Sequence, residues 1–133
     1  MILVKTRVGQ SRKHGLGLFA DQLIPRGTST WEYVPWFDIS YTEDDLKKMS
    51  EPAREAILWY AYFDPKIDKY ILPSDDQRFI NHSASIEDIT IESTPDRDVA
   101  IRDIQPGEEL LCDYNKFDNT YFKRRGIDES TLK

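Results

Sequence analysis

A chain of 133 residues, 39% hydrophobic and 32% charged, has the size and balance of one soluble globular domain with a single core. A formal net charge of −6 at pH 7 argues against direct nucleic-acid binding; it suits a basic polypeptide partner, or simply a soluble surface. The single cysteine, Cys112, excludes an internal disulfide and a cysteine-rich zinc cluster. It fits a reducing intracellular compartment, cytoplasmic or, in a eukaryote, nuclear. No apolar run is long enough to span a bilayer, and Met1 to Lys5 lacks the pattern of a secretory signal, so no membrane partner is expected.

Ile2 to Val8 is β-rich and predicts a first strand, and Leu16 to Ala20 is a short apolar run after a glycine turn. Pro25-Arg26-Gly27 predicts a turn, because proline presets φ and glycine relieves the backbone; β-character resumes over Thr28 to Val34. The period then changes to helical over about 42–63. Thr42 is a candidate N-cap with Glu43, Asp44 and Asp45 in the first turn, where the helix dipole favours acids. Ser50 can cap a second helix that tolerates Pro52 at its start, places Ala53, Ile57, Tyr60 and Ala61 on one face, and stops at Asp64-Pro65.

Short strands follow at Tyr70 to Leu72, Ile89 to Glu92, Val99 to Arg102 and Glu109 to Cys112. Turns are expected at Ser93-Thr94-Pro95-Asp96 and Pro106-Gly107. Many short strands around one helical insertion predict a mostly-β α+β domain, residues 1–133 forming one unit, rather than a parallel βαβ sheet. The segment from about 115 to 133 is a C-terminal extension.

Three local signals occur in order: Gly15-Leu16-Gly17, Arg78-Phe79-Ile80-Asn81-His82-Ser83, and Gly107-Glu108-Glu109-Leu110-Leu111-Cys112-Asp113-Tyr114. Singly they read as a glycine turn, a polar turn with local side-chain bonds, and a strand-end tyrosine. The first lacks the third glycine and the following helix of a dinucleotide fingerprint. In this order and spacing they resemble the SET-domain family, which carries G-x-G, R-F-x-N-H-S and G-E-E-L-x-x-D-Y; Glu32-Tyr33 is similar to the family's Glu-Tyr after its second strand. The resemblance runs from about Thr6 to about Phe122.

The resemblance implies a β-clip-like fold of small curved sheets with a knot-like C-terminal crossing. It also implies an S-adenosylmethionine-dependent protein-lysine methyltransferase acting on a basic, lysine-containing protein or peptide. Gly15, Leu16 and Gly17 would receive the methionine part of the cofactor, and Arg78 its carboxylate, for which a planar bidentate donor is suited. Asn81 and the His82 backbone would hold its amino and adenine groups. Phe117 is the nearest match for an aromatic against the adenine, with Tyr121 and Phe122 as alternatives, and any of the three could instead pack the C-terminal segment.

Tyr114 is the expected catalytic hydroxyl, orienting the amine rather than acting as a base, since an ordinary tyrosine ionises near pH ~10. Tyr33 is the second candidate, as a wall of the lysine channel or as a core aromatic. Cys112 stands where relatives carry a Phe or Tyr that limits methyl number. A thiol there predicts a roomier channel, or is simply a small buried residue. Ala84 to Asp88 replaces the Cys-x-Pro-Asn run of relatives, and Pro35 a glycine common after Glu-Tyr. The reaction needs no metal, and His14 and His82 have no ligand-spaced partners. A catalytically weak module binding a basic peptide and a cofactor-free β-domain are the other readings, and exposed Trp36 and Phe37 make a homodimer conceivable.

Overall fold

The structure, a computed structural model, describes residues 1–131. The expected first strand is shifted toward the C-terminus: β1 (Thr6–Gln10) pairs antiparallel with β2 (Leu16–Ala20), while Ile2 makes only an isolated bridge to Trp31. Gly9 faces Gly17 in the middle of this hairpin. β3 (Ser29–Glu32) begins after the predicted Pro25 turn, where Thr28 N–H donates to the Pro25 carbonyl and Gly27 has φ +86.

After β4 (Ile39–Tyr41), the helical insertion forms as α1 (Glu43–Lys47) and α2 (Glu51–Tyr60). Thr42 and Asp45 close a capping box: the Thr42 hydroxyl accepts from Asp45 N–H and the Asp45 carboxylate from Thr42 N–H. Ser50 caps α2, with proline in the first turn where no intrahelical N–H is needed. The insertion departs from expectation in two ways. α2 stops at Tyr60, and Tyr62–Asp64 is a strand, β5, rather than helix. No α2 residue is buried, so the Ala53, Ile57 and Tyr60 face is not core; the helix lies across a rim, and only Ala61 beyond its end goes inside.

β5 and β4 flank β6 (Lys69–Leu72) in one antiparallel sheet. A second sheet runs β3–β9–β8, with β8 (Ile91–Ser93) and β9 (Arg97–Ala100) joined through the predicted hairpin turn. The exception to antiparallel pairing is β7 (Asn81–His82) beside β10 (Leu111–Cys112), which run parallel. Two segments distant in the chain thereby lie side by side, the crossing that the family resemblance implied.

The core has two parts. Leu18, Ile24, Ile91, Ile104 and Leu110 form the larger, tied across the middle by reciprocal Ile24–Ile104 backbone hydrogen bonds. Trp31, Tyr62 and Ile71 form the smaller. Burial of each such side chain contributes about 1.5–3 kcal/mol. The short α3 (Tyr121–Arg125) then folds back on the insertion. Asp118 and Arg124, 1% and 14% exposed, pair at 2.9 Å; Asp118 accepts from Phe63 N–H, and Arg124 donates to the Ala61 carbonyl. The C-terminal segment is thus fastened to the end of α2 and to β5. Among the described residues, no helix is long and apolar enough to cross a membrane. Trp36 is exposed as expected, but Phe37 is half-buried beside it.

Candidate functional site

The C-terminal segment, the end of α2 and the β7–β10 pair enclose two cavities. The larger, of about 380 Å³, is walled by the loop from Lys13 to Leu16, by Arg78, Asn81 and His82, and by aromatic rings including Tyr121 and Phe122. Its volume lies within the range of roughly 300–1,000 Å³ usual for small-molecule sites. The smaller, about 60 Å³, is narrow and is lined by Trp31, Tyr62, Asp98, Cys112 and Phe117 among others. Trp59, Tyr60, Arg78, Tyr114 and Tyr121 belong to both walls. The two spaces therefore lie side by side, with Tyr114 among the residues they share.

Each motif supplies a different part of this construction. Gly15, at φ +48, lets the loop before β2 reverse, and with Leu16 it faces the large cavity. The Asn81 amide donates to the His14 and Leu16 carbonyls, both at 2.9 Å, so it holds that loop open-edged against β7. Gly17 does not line the cavity. A side chain there would collide with Glu109, whose carboxylate also accepts from Asn81 at 3.3 Å; this glycine makes room for a strut of the protein itself. Lys13 and Asp88 pair at 2.6 Å, tying the atypical loop after Ser83 to the glycine loop.

Arg78 donates to the Pro73 carbonyl at 3.0 Å and, among the described residues, makes no ion pair. Its guanidinium faces both cavities with donors to spare. His82 lines the large cavity and accepts the Tyr114 N–H at Nδ1, 3.1 Å, which places the proton of the neutral ring on Nε2. That buried nitrogen has no hydrogen-bond partner and lies 3.7 Å from Glu129. Burial lowers the imidazole's pKa against the opposing pull of Asp113 and Glu129. His82, Asp113 and Glu129 bring ligand-type atoms within 4.8 Å of one another, a grouping invisible in their spacing. With Nδ1 already engaged, it serves as the frame that anchors Tyr114.

Tyr114 donates its hydroxyl to the Ile80 carbonyl at the floor between the cavities. Its ring meets those of Tyr121 at 4.9 Å and Phe117 at 5.7 Å, both edge-on. Burial, reinforced by Cys112, raises its pKa well above the ordinary tyrosine value, so the phenol stays neutral and acts as a hydrogen-bonding group.

The remaining candidates are distributed less simply. Phe117 faces the small cavity rather than the large one; Tyr121 and Phe122 are the aromatics of the C-terminal segment on the large side. Cys112 lines the small cavity at 1% exposure, touching Ser93, and its thiol is held neutral by burial. Tyr33 lines neither cavity; it packs against the Trp31–Tyr62–Ile71 cluster, its hydroxyl near Ser40 and its pKa raised by burial. Tyr62, which donates to the Pro95 carbonyl at 2.6 Å, lines the small cavity together with Tyr60, Tyr114 and Tyr121.

Sequence analysis missed Tyr62, Gln77 and Asp98. A signal existed only for Asp98: alternation along Asp98, Val99, Ala100 points an acidic side chain to the face on which Ala100 is buried.

The family model described as SET domain matches residues 15–115. Over 116 residues the chain is 31% identical to the Drosophila melanogaster protein named "Histone-lysine N-methyltransferase trr". That alignment takes in 84% of this chain but 5% of the relative. Among solved structures, Chaetomium thermophilum Polycomb Repressive Complex 2 bound to an inhibitor aligns with a TM-score of 0.65 at 21% identity, over 92% of this chain and 17% of that one. A complex described as ctPRC2 in an autoinhibited conformation bound to S-adenosylmethionine aligns at 0.62 and 22% identity, over 98% and 17%. A Plasmodium falciparum crystal structure, 95% of which is covered against 85% of this chain, gives 0.59 at 19% identity. These structural likenesses establish a common fold. The chain spans a small fraction of the curated relative it matches.

Proposed function

Since the chain belongs to the SET-domain family, we propose that it transfers a methyl group from S-adenosylmethionine to the side-chain amine of lysine in a protein substrate. The observation that carries this reading is that a large and a small cavity lie side by side with Tyr114 in the wall of both. An in-line displacement needs donor and acceptor delivered from opposite sides of one point, and positioning supplies much of the rate.

The large cavity suits the cofactor by its own chemistry. Arg78 has free guanidinium donors for a carboxylate, Gly15 and Leu16 line the wall, and Tyr121 and Phe122 offer faces to a purine. Bound there, S-adenosylmethionine would supply a methyl group activated on a sulfonium. Arg78 and the loop held by Asn81 would orient it. The narrow cavity, lined by Trp31, Tyr62 and Phe117, suits the aliphatic stem of one lysine and excludes bulkier side chains. The Tyr114 oxygen would align the arriving nitrogen. Cys112 leaves space that a ring would fill, so di- or trimethyl-lysine is the expected product, and mass spectrometry finding only monomethyl-lysine would contradict it.

The net charge of −6 favours a basic polypeptide as substrate, and the buried free thiol suits a reducing, intracellular setting. The test has two stages. Calorimetric titration with S-adenosylmethionine should show saturable binding, and radiolabelled methyl transfer into a whole lysate should label lysine. Absence of cofactor binding would refute the proposal and favour a peptide-binding module.

A further inference from the structure

Asp98 is 3% exposed and lines the narrow cavity, where it is the one carboxylate among the described lining residues. It sits on β9 opposite Trp31 and Ser93, with its side chain turned inward. Gln77 donates to its Oδ2, and Ser93 is also within hydrogen-bonding contact. Among the described residues no cation pairs with it: Arg78 shares the cavity but forms no ion pair, and the Met1 amino group, which acts on Asp98 from a distance, is bound to Asp38 at 3.2 Å. A carboxylate shut among aromatic rings without a counter-charge is unfavourable unless it stays protonated or receives a cation.

We infer that Asp98 is a further substrate-binding residue: its carboxylate receives the substrate ammonium in the narrow cavity and holds that nitrogen before Tyr114. This rests on the methyl-transfer reading above. As the ammonium arrives, Asp98 loses its own proton to water and pairs with it; when the cavity empties, Asp98 takes a proton up again.

The other groups facing Asp98 do not compete for this role near neutral pH. On β10, Cys112 is kept protonated by burial and by the charge of Asp98; on β5, Tyr62 is raised by burial and by the charges of Asp64 and then Asp98; Tyr114 is raised by burial. Gln77, from the turn before β7, and Trp31 and Ser93, from the flanking strands, have no side chain that ionises near neutrality. Burial holds the Asp98 carboxyl itself at about 7, so near neutral pH it can ionise when a cation enters and become neutral when the cavity empties.

The experiment is carbon-13 NMR on the whole protein labelled at aspartate carboxyls, with the Asp98 signal assigned as the one missing from Asp98→Asn. The probes are n-butylammonium chloride, which mimics the end of lysine, and 1-butanol in matched potassium chloride. The Asp98 midpoint is expected near 7 alone and with butanol, and about one pH unit or more lower with butylammonium, as for a carboxyl gaining a close cation. Equal midpoints with both probes would overturn the inference. In the same preparation, calorimetry with S-adenosylmethionine separates the two readings. If the cofactor fails to bind, the methyl-transfer reading falls; if it binds and Asp98 ignores butylammonium, only the role of Asp98 falls.

Discussion

Replacing Asp98 by Asn should change how stability depends on pH, in a direction opposite to most carboxylates. Its ordinary value of 3.8 applies to the unfolded chain, whereas burial holds it at about 7 in the folded protein. Between those values the folded state binds the extra proton, so stability falls as pH rises and the contribution is lost as pH passes through about 7. A gap of about three pH units, at about 1.4 kcal/mol each, makes the ionised side chain about 4 kcal/mol less favourable at pH ~8 than the protonated one at pH ~4.

Asn keeps the shape and still accepts from Gln77, but cannot ionise. Urea unfolding, followed by tryptophan fluorescence at several pH values, would compare the two proteins, with other titrations cancelling in the difference. For a urea dependence of about 1.5 kcal/mol per molar, the midpoint gap should move by about 2–3 M across this range in favour of the variant. Parallel midpoints at all pH values would mean that Asp98 ionises normally, and the electrostatic picture of the narrow cavity would be wrong.

Tyr114→Phe should lower methyl transfer by about two to three orders of magnitude while cofactor affinity, measured by calorimetry, is unchanged. The same change removes the donor to the Ile80 carbonyl, destabilising the fold by about 1 kcal/mol; undiminished turnover would exclude the hydroxyl from the reaction. Arg78→Ala should weaken S-adenosylmethionine binding about tenfold or more, the loss of a charge-assisted hydrogen bond, whereas an unaltered Kd would confine Arg78 to its Pro73 contact. Arg124→Ala strands the buried Asp118 charge and should cost about 3–5 kcal/mol in chemical denaturation, with weaker cofactor binding as α3 loosens. A stability loss below about 1 kcal/mol would show that α3 is not held by this pair.

How much of this was legible in the chain follows from the range of the interactions concerned. Thr42 with Asp45, Ser50 with Ala53, and Gly27 and Gly107 at positive φ act within a few residues, so the caps and turns could be read directly. The apolar spacing of α2 is that of a core helix, but none of its residues is buried, and beyond its end lie the β5–β6 pairing and the Asp118–Arg124 clasp. The family resemblance identified Arg78, Asn81, His82 and Tyr114, and the structure brings all four to one cavity. It does not bring Tyr33 there, because that ring, just past the end of β3, packs against the smaller core cluster, and it turns Phe117 to the opposite cavity.

By itself, then, the sequence determined the mostly-β architecture, the helical insertion and the residues of the motifs, since hydrophobic period, capping and glycine conformations are local properties. Tertiary structure alone decided which walls those residues share. The parallel alignment of Asn81–His82 with Leu111–Cys112 sets Tyr114 between two spaces, and the β3–β9–β8 sheet carries Asp98 into the narrower one. Both depend on contacts between segments far apart in the chain, whose partners no local pattern specifies.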